Sequence, residues 1–132
     1  MLGEQNLDKM LKGLKLDLSD HIFVFVTVET LANIQLNEVF AVVNEVEAYT
    51  LVLSKEKADQ LDLPYHYQAA KISIQVHSAL EAVGLTAALS TQLAKVQMSC
   101  NVIAGYYHDH LFVDYHQREK AIDALLELRS KT

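Results

Sequence analysis

Apolar residues recur along this chain with two alternating periods, and the changes between them mark out its elements. Leu7, Met10, Leu11 and Leu14 fall at helical spacing, with Asp8, Lys9 and Lys12 between them and Asn6 where a cap would stand. This predicts a short N-terminal helix, closed by Gly13 and by Ser19-Asp20. The run Ile22-Phe23-Val24-Phe25-Val26-Thr27-Val28 is β-branched and aromatic, so it reads as a strand covered on both faces. Residues 29–38 are mixed and predict one or two helical turns at most. Residues 39–44 read as another strand, Glu45-Val46-Glu47 as a turn and residues 48–53 as the hairpin partner. Ser54 caps a short helix over residues 55–61, which Pro64 stops.

The second half repeats this order. Ile72, Ile74 and Val76 alternate with Ser73, Gln75 and His77, a half-buried strand of period two. Leu85, Leu89, Leu93 and Val96 fall on one helical face, opposite Thr91, Gln92 and Lys95. Residues 99–107 read as a strand, His108-Asp109 as a tight turn and residues 110–115 as the returning strand. Ala121, Ile122, Leu125 and Leu128 form the apolar face of a closing helix. The first strands of the two halves begin 50 residues apart, at 22 and 72, but the hairpin turns lie 62 apart, at 46 and 108. The first spacer is therefore 12 residues shorter, which is about three turns of helix. The pattern is a duplication in which the first copy, residues 1–65, has lost most of one helix and the second, residues 66–132, keeps it. Small antiparallel sheets of this kind bury little alone, so the expectation is one integrated α+β unit.

Composition narrows the function more than the fold. The chain has 132 residues, 51% of them hydrophobic and 21% charged, with a net charge of −6. Those proportions suit a folded domain rather than a disordered segment. The acidic balance and the lack of a basic run disfavour nucleic acid and anionic membranes as partners. No apolar run approaches a membrane span, and the first residues lack a basic stretch followed by an apolar one, so a cytoplasmic protein is expected. Cys100 is the single cysteine, which excludes an internal disulfide and fits a reducing compartment.

The stretch from Ile72 to Ala87 resembles the opening of an ACT domain, a strand followed by an acidic-x-Pro-Gly-Leu loop and a helix. Glu81 matches the acidic position, Gly84 the glycine and Leu85 the leucine, while Val83 stands where many members have proline. Met98-Ser99-Cys100 stands at the second strand. Residues 78–86, together with 100–113, are similar to the core of small bacterial tandem-ACT proteins of unassigned function, and the pairing resembles the regulatory ACT pairs of aspartokinases. Residues 71–129 carry the match strongly and residues 20–62 weakly, with Ala48 in place of an expected hairpin glycine. The resemblance implies two ferredoxin-like (βαββαβ) copies with antiparallel sheets, the first with a shortened first helix. It also implies a non-catalytic regulatory protein that binds a small molecule, typically an amino acid, where paired domains meet. No enzyme domain accompanies the pair within these residues, so the expected protein partner is a separate regulated enzyme or a second copy in a homodimer. The alternative is an interaction module without a ligand.

The candidate ligand residues are Glu81, Val83, Gly84, Leu85, Thr86, Ser99 and Asn101. A glycine between strand and helix lets a ligand approach the backbone, and the free amides of a helix start favour a carboxylate. Ser99 or Asn101 would then meet the ammonium group. The competing interpretation makes Gly84 a turn glycine and Ser78-x-x-Glu81 a capping box. His108 and His110 share a strand face and, with His116 or His77, could ligate a metal. A plain hairpin with a turn aspartate is the default, and neither metal nor cofactor is expected. His77 and Ser78 diverge as strand neighbours, and Cys100 has no basic neighbour, so no nucleophilic catalysis is expected.

Overall fold

The computed structural model describes residues 2–75 and 84–130. Its elements are α1 (Leu2–Lys12), β1 (Leu16–Leu18), β2 (Phe23–Val28), β3 (Ala41–Asn44), β4 (Tyr49–Ser54), α2 (Lys55–Gln60), β5 (Gln68–Gln75), α3 (Leu85–Lys95), β6 (Asn101–Ala104), β7 (His108–Asp114) and α4 (Arg118–Leu126). The chain forms two compact units, Asp20–Ala69 and Met1–Ser19 with Ala70–Thr132.

In the smaller unit the strand order is β3-β4-β2-β5, with all three pairings antiparallel. The register sets Val24 opposite Leu53 and Val26 opposite Leu51, so these four share one face. All four are buried with Ala58 of α2 in one cluster. Phe23 and Phe25 point the other way, where Phe23 meets Phe40 edge-on at 6.1 Å and Phe25 meets Tyr67 at 6.3 Å. Apolar residues are useful at successive positions from Phe23 to Val26 because both faces of this part of β2 meet apolar side chains, whereas Thr27 is exposed. Between β2 and β3 the chain forms a single 3-10 turn, Leu36–Glu38, in place of a first helix. Beyond β4, β2 pairs with the start of β5, where Phe23 faces Ala69 and Val24 faces Gln68.

The larger unit has the strand order β1-β5-β7-β6. Ala70, Ile72 and Ile74 of β5 and Leu111 and Val113 of β7 pack under Leu85, Leu89 and Leu93 of α3 and Ala121, Ala124 and Leu125 of α4. Leu16 pairs with Ile74 and Leu18 with Ile72, so β1 acts as the closing strand of this unit. Both units thus follow the ferredoxin-like order, and together they form the two copies. The N-terminal helix, placed with the first copy by its position in the sequence, instead buries Leu11 and Leu14 in the core of the larger unit. The reason is the short tether to β1, which pairs with β5.

Three local readings are corrected. The second hairpin turns at Tyr106-Tyr107, because Ala104 faces Asp109 and the Gly105 N–H donates to the His108 carbonyl at 2.8 Å. Asp109 is therefore a buried strand residue rather than a turn residue. Gln92, assigned to the polar face of its helix, is 2% exposed. Its side-chain amide donates to the Ala124 carbonyl at 2.8 Å and to Glu127 Oε2 at 3.0 Å, which staples α3 to the C-terminal helix. β5 begins at Gln68, four residues before the alternation at Ile72, because its first residues close the smaller sheet.

Ser54 caps α2 as its sequence predicts, accepting from the Lys57 N–H at 3.1 Å. Helices α2 and α3 end alike. Asp62 (φ 56°) and Gln97 (φ 61°) both sit in the left-handed region. Leu63 N–H then donates to the Ala58 carbonyl at 2.9 Å, and Met98 N–H to the Leu93 carbonyl at 3.0 Å. These are Schellman closures made without glycine, each costing about 1 kcal/mol relative to glycine. Gln97→Gly should therefore raise the stability of the protein by about 0.5–1 kcal/mol in urea denaturation. A neutral or destabilising result would contradict this account of the helix end.

Candidate functional site

Gly84 is the residue on which the candidate site turns. It precedes α3 at φ +88°, a conformation that costs an L side chain strain. Its carbonyl accepts the first α-type bond, from the Ala88 N–H at 2.9 Å. No side chain caps this helix start through Gly84, and the first turn holds no acidic residue. The amides of the first turn, at the positive end of the helix dipole, suit an anion. Leu85 is 1% exposed and belongs to the core, so only its backbone is offered to a ligand. Thr86 is exposed, and its carbonyl accepts the Ser90 hydroxyl at 2.7 Å.

The other expected ligand residues are not brought to this place. Glu81 and Val83 lie outside the described residues, as do His77 and Ser78. Ser99 and Asn101 are exposed, but they follow the C-terminal end of α3, about 16 Å along an 11-residue helix from Gly84. Asn101 also faces Phe112, on the sheet side turned away from Leu111 and Val113. Periodicity located strand and helix here but not which end of the second strand returns to the glycine.

One contact that no sequence pattern signalled lies at Gly84 itself. The Cδ2 of Leu7 in α1 stands 3.2 Å from where a Cβ on Gly84 would be. Leu7 is separated from Gly84 by most of the chain, so only the packing of α1 in the larger unit brings them together.

A second polar group occupies the sheet face opposite α3. Ser73 Oγ and His110 Nδ1 are 2.7 Å apart, and the His108 and His110 rings lie 5.7 Å apart. Burial, Lys71 and His108 together hold His110 below the ordinary histidine range. Lys71 is itself lowered by burial, with Asp17 acting against that shift. Among the described residues, no three His, Cys, Asp or Glu side chains are grouped to hold a metal ion. Burial raises the Cys100 thiol, moderated by a backbone hydrogen bond at Phe112, and a protonated thiol is a poor nucleophile.

The His110 shift has a defined sign. The folded state binds its proton more weakly than the unfolded chain, so this contribution to stability is complete above about pH 6.5. It is lost as the pH falls through that value, because the unfolded state then takes up more protons. Between about pH 7.5 and pH 5.5 the Tm of His110→Asn should fall less than that of the unaltered protein. Equal slopes in thermal denaturation would remove His110 from the acid response.

Two family models, each described as an ACT domain, match residues 2–70 and 67–127. No curated protein sequence matches. A Vibrio cholerae protein of unknown function, described as a possible transport protein, is 41% identical with a TM-score of 0.84, over 96% of this chain and 98% of that one. The Clostridium acetobutylicum aspartate kinase is 14% identical with a TM-score of 0.66, over 86% of this chain and 34% of that chain. The ligand-free regulatory subunit of aspartate kinase from Thermus thermophilus is 11% identical with a TM-score of 0.61, over 87% of this chain and 98% of that one. With a family model covering each half and two ferredoxin-like sheets in the structure, the chain belongs to the ACT domain family and carries two such domains in tandem.

Proposed function

We propose that this protein is a non-catalytic regulatory module that binds the carboxylate of a small molecule, an amino acid above all, on the backbone amides of Gly84, Leu85 and Thr86. The observation that carries the reading is the start of α3, opened by a glycine at φ +88° and with no acidic residue in its first turn, in a tandem ACT protein. An anion there satisfies amides that no acidic residue in the first turn serves. The folds shared with aspartate kinase regulatory chains favour an effector role, with a separate enzyme or a second copy as the responding partner. The smaller unit has a 3-10 turn where the larger has α3, so this reading gives one such site per chain. The same reading makes this a cytoplasmic protein of two repeats, with the N-terminal residues completing the second. Among the described residues no helix is long and apolar enough to cross a membrane.

A thermal-shift screen against the individual amino acids tests this. An amino acid at 100 times its dissociation constant should add roughly 2.7 kcal/mol of stability. Gly84→Asp, checked for folding by circular dichroism, should lose the shift, because its carboxylate repels the ligand and its Cβ presses on Leu7. Failure of every amino acid to stabilise the protein would end the reading, and so would an unchanged shift in a folded Gly84→Asp.

A second reading, protein association without ligand, rests on the sheet margins. Strands β3 and β6 end the strand order, β6 carries no charge, and Tyr106 and Tyr107 beyond it are 85% and 71% exposed. Unprotected edges invite pairing with another chain. Sedimentation of ligand-free protein should then show self-association in the micromolar range, and a monomer throughout would exclude it.

A further inference from the structure

We propose that His108 and His110 bind one divalent transition-metal ion through their Nε2 atoms, on the sheet face turned away from α3. The two residues are alternate positions of β7, so both side chains leave the same face of the sheet. Their ring centroids lie 5.7 Å apart. Two imidazoles sharing one ion through bonds of about 2.0–2.1 Å have ring centres about 5–6 Å apart. The pair thus stands at chelating distance before any ion arrives.

Ser73 turns this spacing into a donor set. Its Oγ is 2.7 Å from His110 Nδ1, and the residue is only 8% exposed. In the metal-bound state Nδ1–H donates to Ser73, which fixes the tautomer of His110 and leaves the lone pair on Nε2. A hydrogen-bonded group behind the other ring nitrogen orients a metal-bound histidine and raises its basicity. The Nε2 edge of His110 faces position 105, where a Cβ would lie 3.7 Å from that nitrogen. Gly105 places no methyl against it. The same glycine lets the hairpin close, because its Cβ would stand 3.2 Å from the His108 carbonyl oxygen. His108, the outer ligand, is exposed.

Two imidazole donors suit zinc, nickel or copper rather than the oxygen-seeking magnesium and calcium. Among the described residues no group of three His, Cys, Asp or Glu side chains is placed to hold an ion. Water therefore fills the other positions, and the ion is exchangeable. His116, in the turn beyond the far end of β7, takes no part. Lys71 opposes a cation on this face, and Asp17, paired with Ser73 between β1 and β5, offsets it. The site shares no residue with the proposed amino-acid site at Gly84, so the two stand or fall separately.

Isothermal titration of zinc chloride and of nickel chloride into untagged, metal-free protein tests the site. The expected result is one ion per chain, with no binding of magnesium chloride. His108→Ala and His110→Ala should each weaken zinc binding about tenfold or more, while His116→Ala leaves it unchanged. Ser73→Ala, which keeps both imidazoles, should weaken it about tenfold by releasing the orientation of His110. Absence of zinc and nickel binding overturns the proposal, and so does zinc affinity undiminished in His108→Ala. Equal affinity in Ser73→Ala overturns the built site and leaves only a surface chelate. If a variant does not fold, imidazole nitrogen NMR of the unaltered protein decides. Zinc should shift the Nε2 resonances of His108 and His110 and leave those of His116 in place, and unmoved His108 and His110 resonances overturn the site.

Discussion

The arrangement depends on how each four-stranded sheet is closed. Each unit has the order closing strand, first strand, third strand, second strand, and in the larger unit the closing strand precedes the other three by a long way in the sequence. The larger unit takes β1 from the N-terminal end, through Leu16–Ile74 and Leu18–Ile72. The smaller takes the first two residues of β5, through Phe23–Ala69 and Val24–Gln68. A first strand left with one bare edge would expose a row of unpaired backbone groups. Supplying that strand from elsewhere in the chain is what brings the N-terminal residues into the larger unit.

The position of α1 follows from this pairing. With β1 fixed beside β5, Leu11 of the preceding helix and Leu14 of the link join Leu85 and Leu89 in the same apolar cluster. Leu7, one turn further from β1, then meets Gly84. The strand pairing, the burial of α1 and the approach of Leu7 to Gly84 are thus one constraint seen at three places. The glycine has two physical jobs there, to hold φ +88° and to leave room for Leu7, whose Cδ2 would lie only 3.2 Å from a Cβ at this position.

The two faces of the larger sheet divide the chemistry. The face under α3 and α4 is apolar apart from Gln92, whose amide is spent on the Ala124 carbonyl and Glu127, and the buried Asp109. Burial raises the Asp109 carboxyl. The opposite face gathers Lys71, Ser73, His108 and His110, where burial and like charge weaken His110's hold on its proton. These groups come from two strands that alternate in register, so each strand contributes a polar and an apolar side.

Much of the fold was legible because local patterns answer to local physics. Alternation at Ile72 and Ile74 required a strand with one buried face, leucines at 85, 89 and 93 required a buried helical stripe, and Ser54 required a helix start. The short spacer before Val39 correctly implied a missing helix. What involved distant residues was not legible. Period-two spacing cannot say that Ala104 faces Asp109, so the turn was misplaced on His108-Asp109. Helical spacing cannot say that Gln92 finds a carbonyl on another helix. The glycine and the helix after it were visible in the sequence, but the separation of Ser99 and Asn101 from them was decided by the direction of α3. The approach of Leu7 to Gly84 was decided by strand pairing between segments that are far apart along the chain. Hydrophobic period reports which side of an element is buried. Which element does the burying is settled only when the chain closes its sheets.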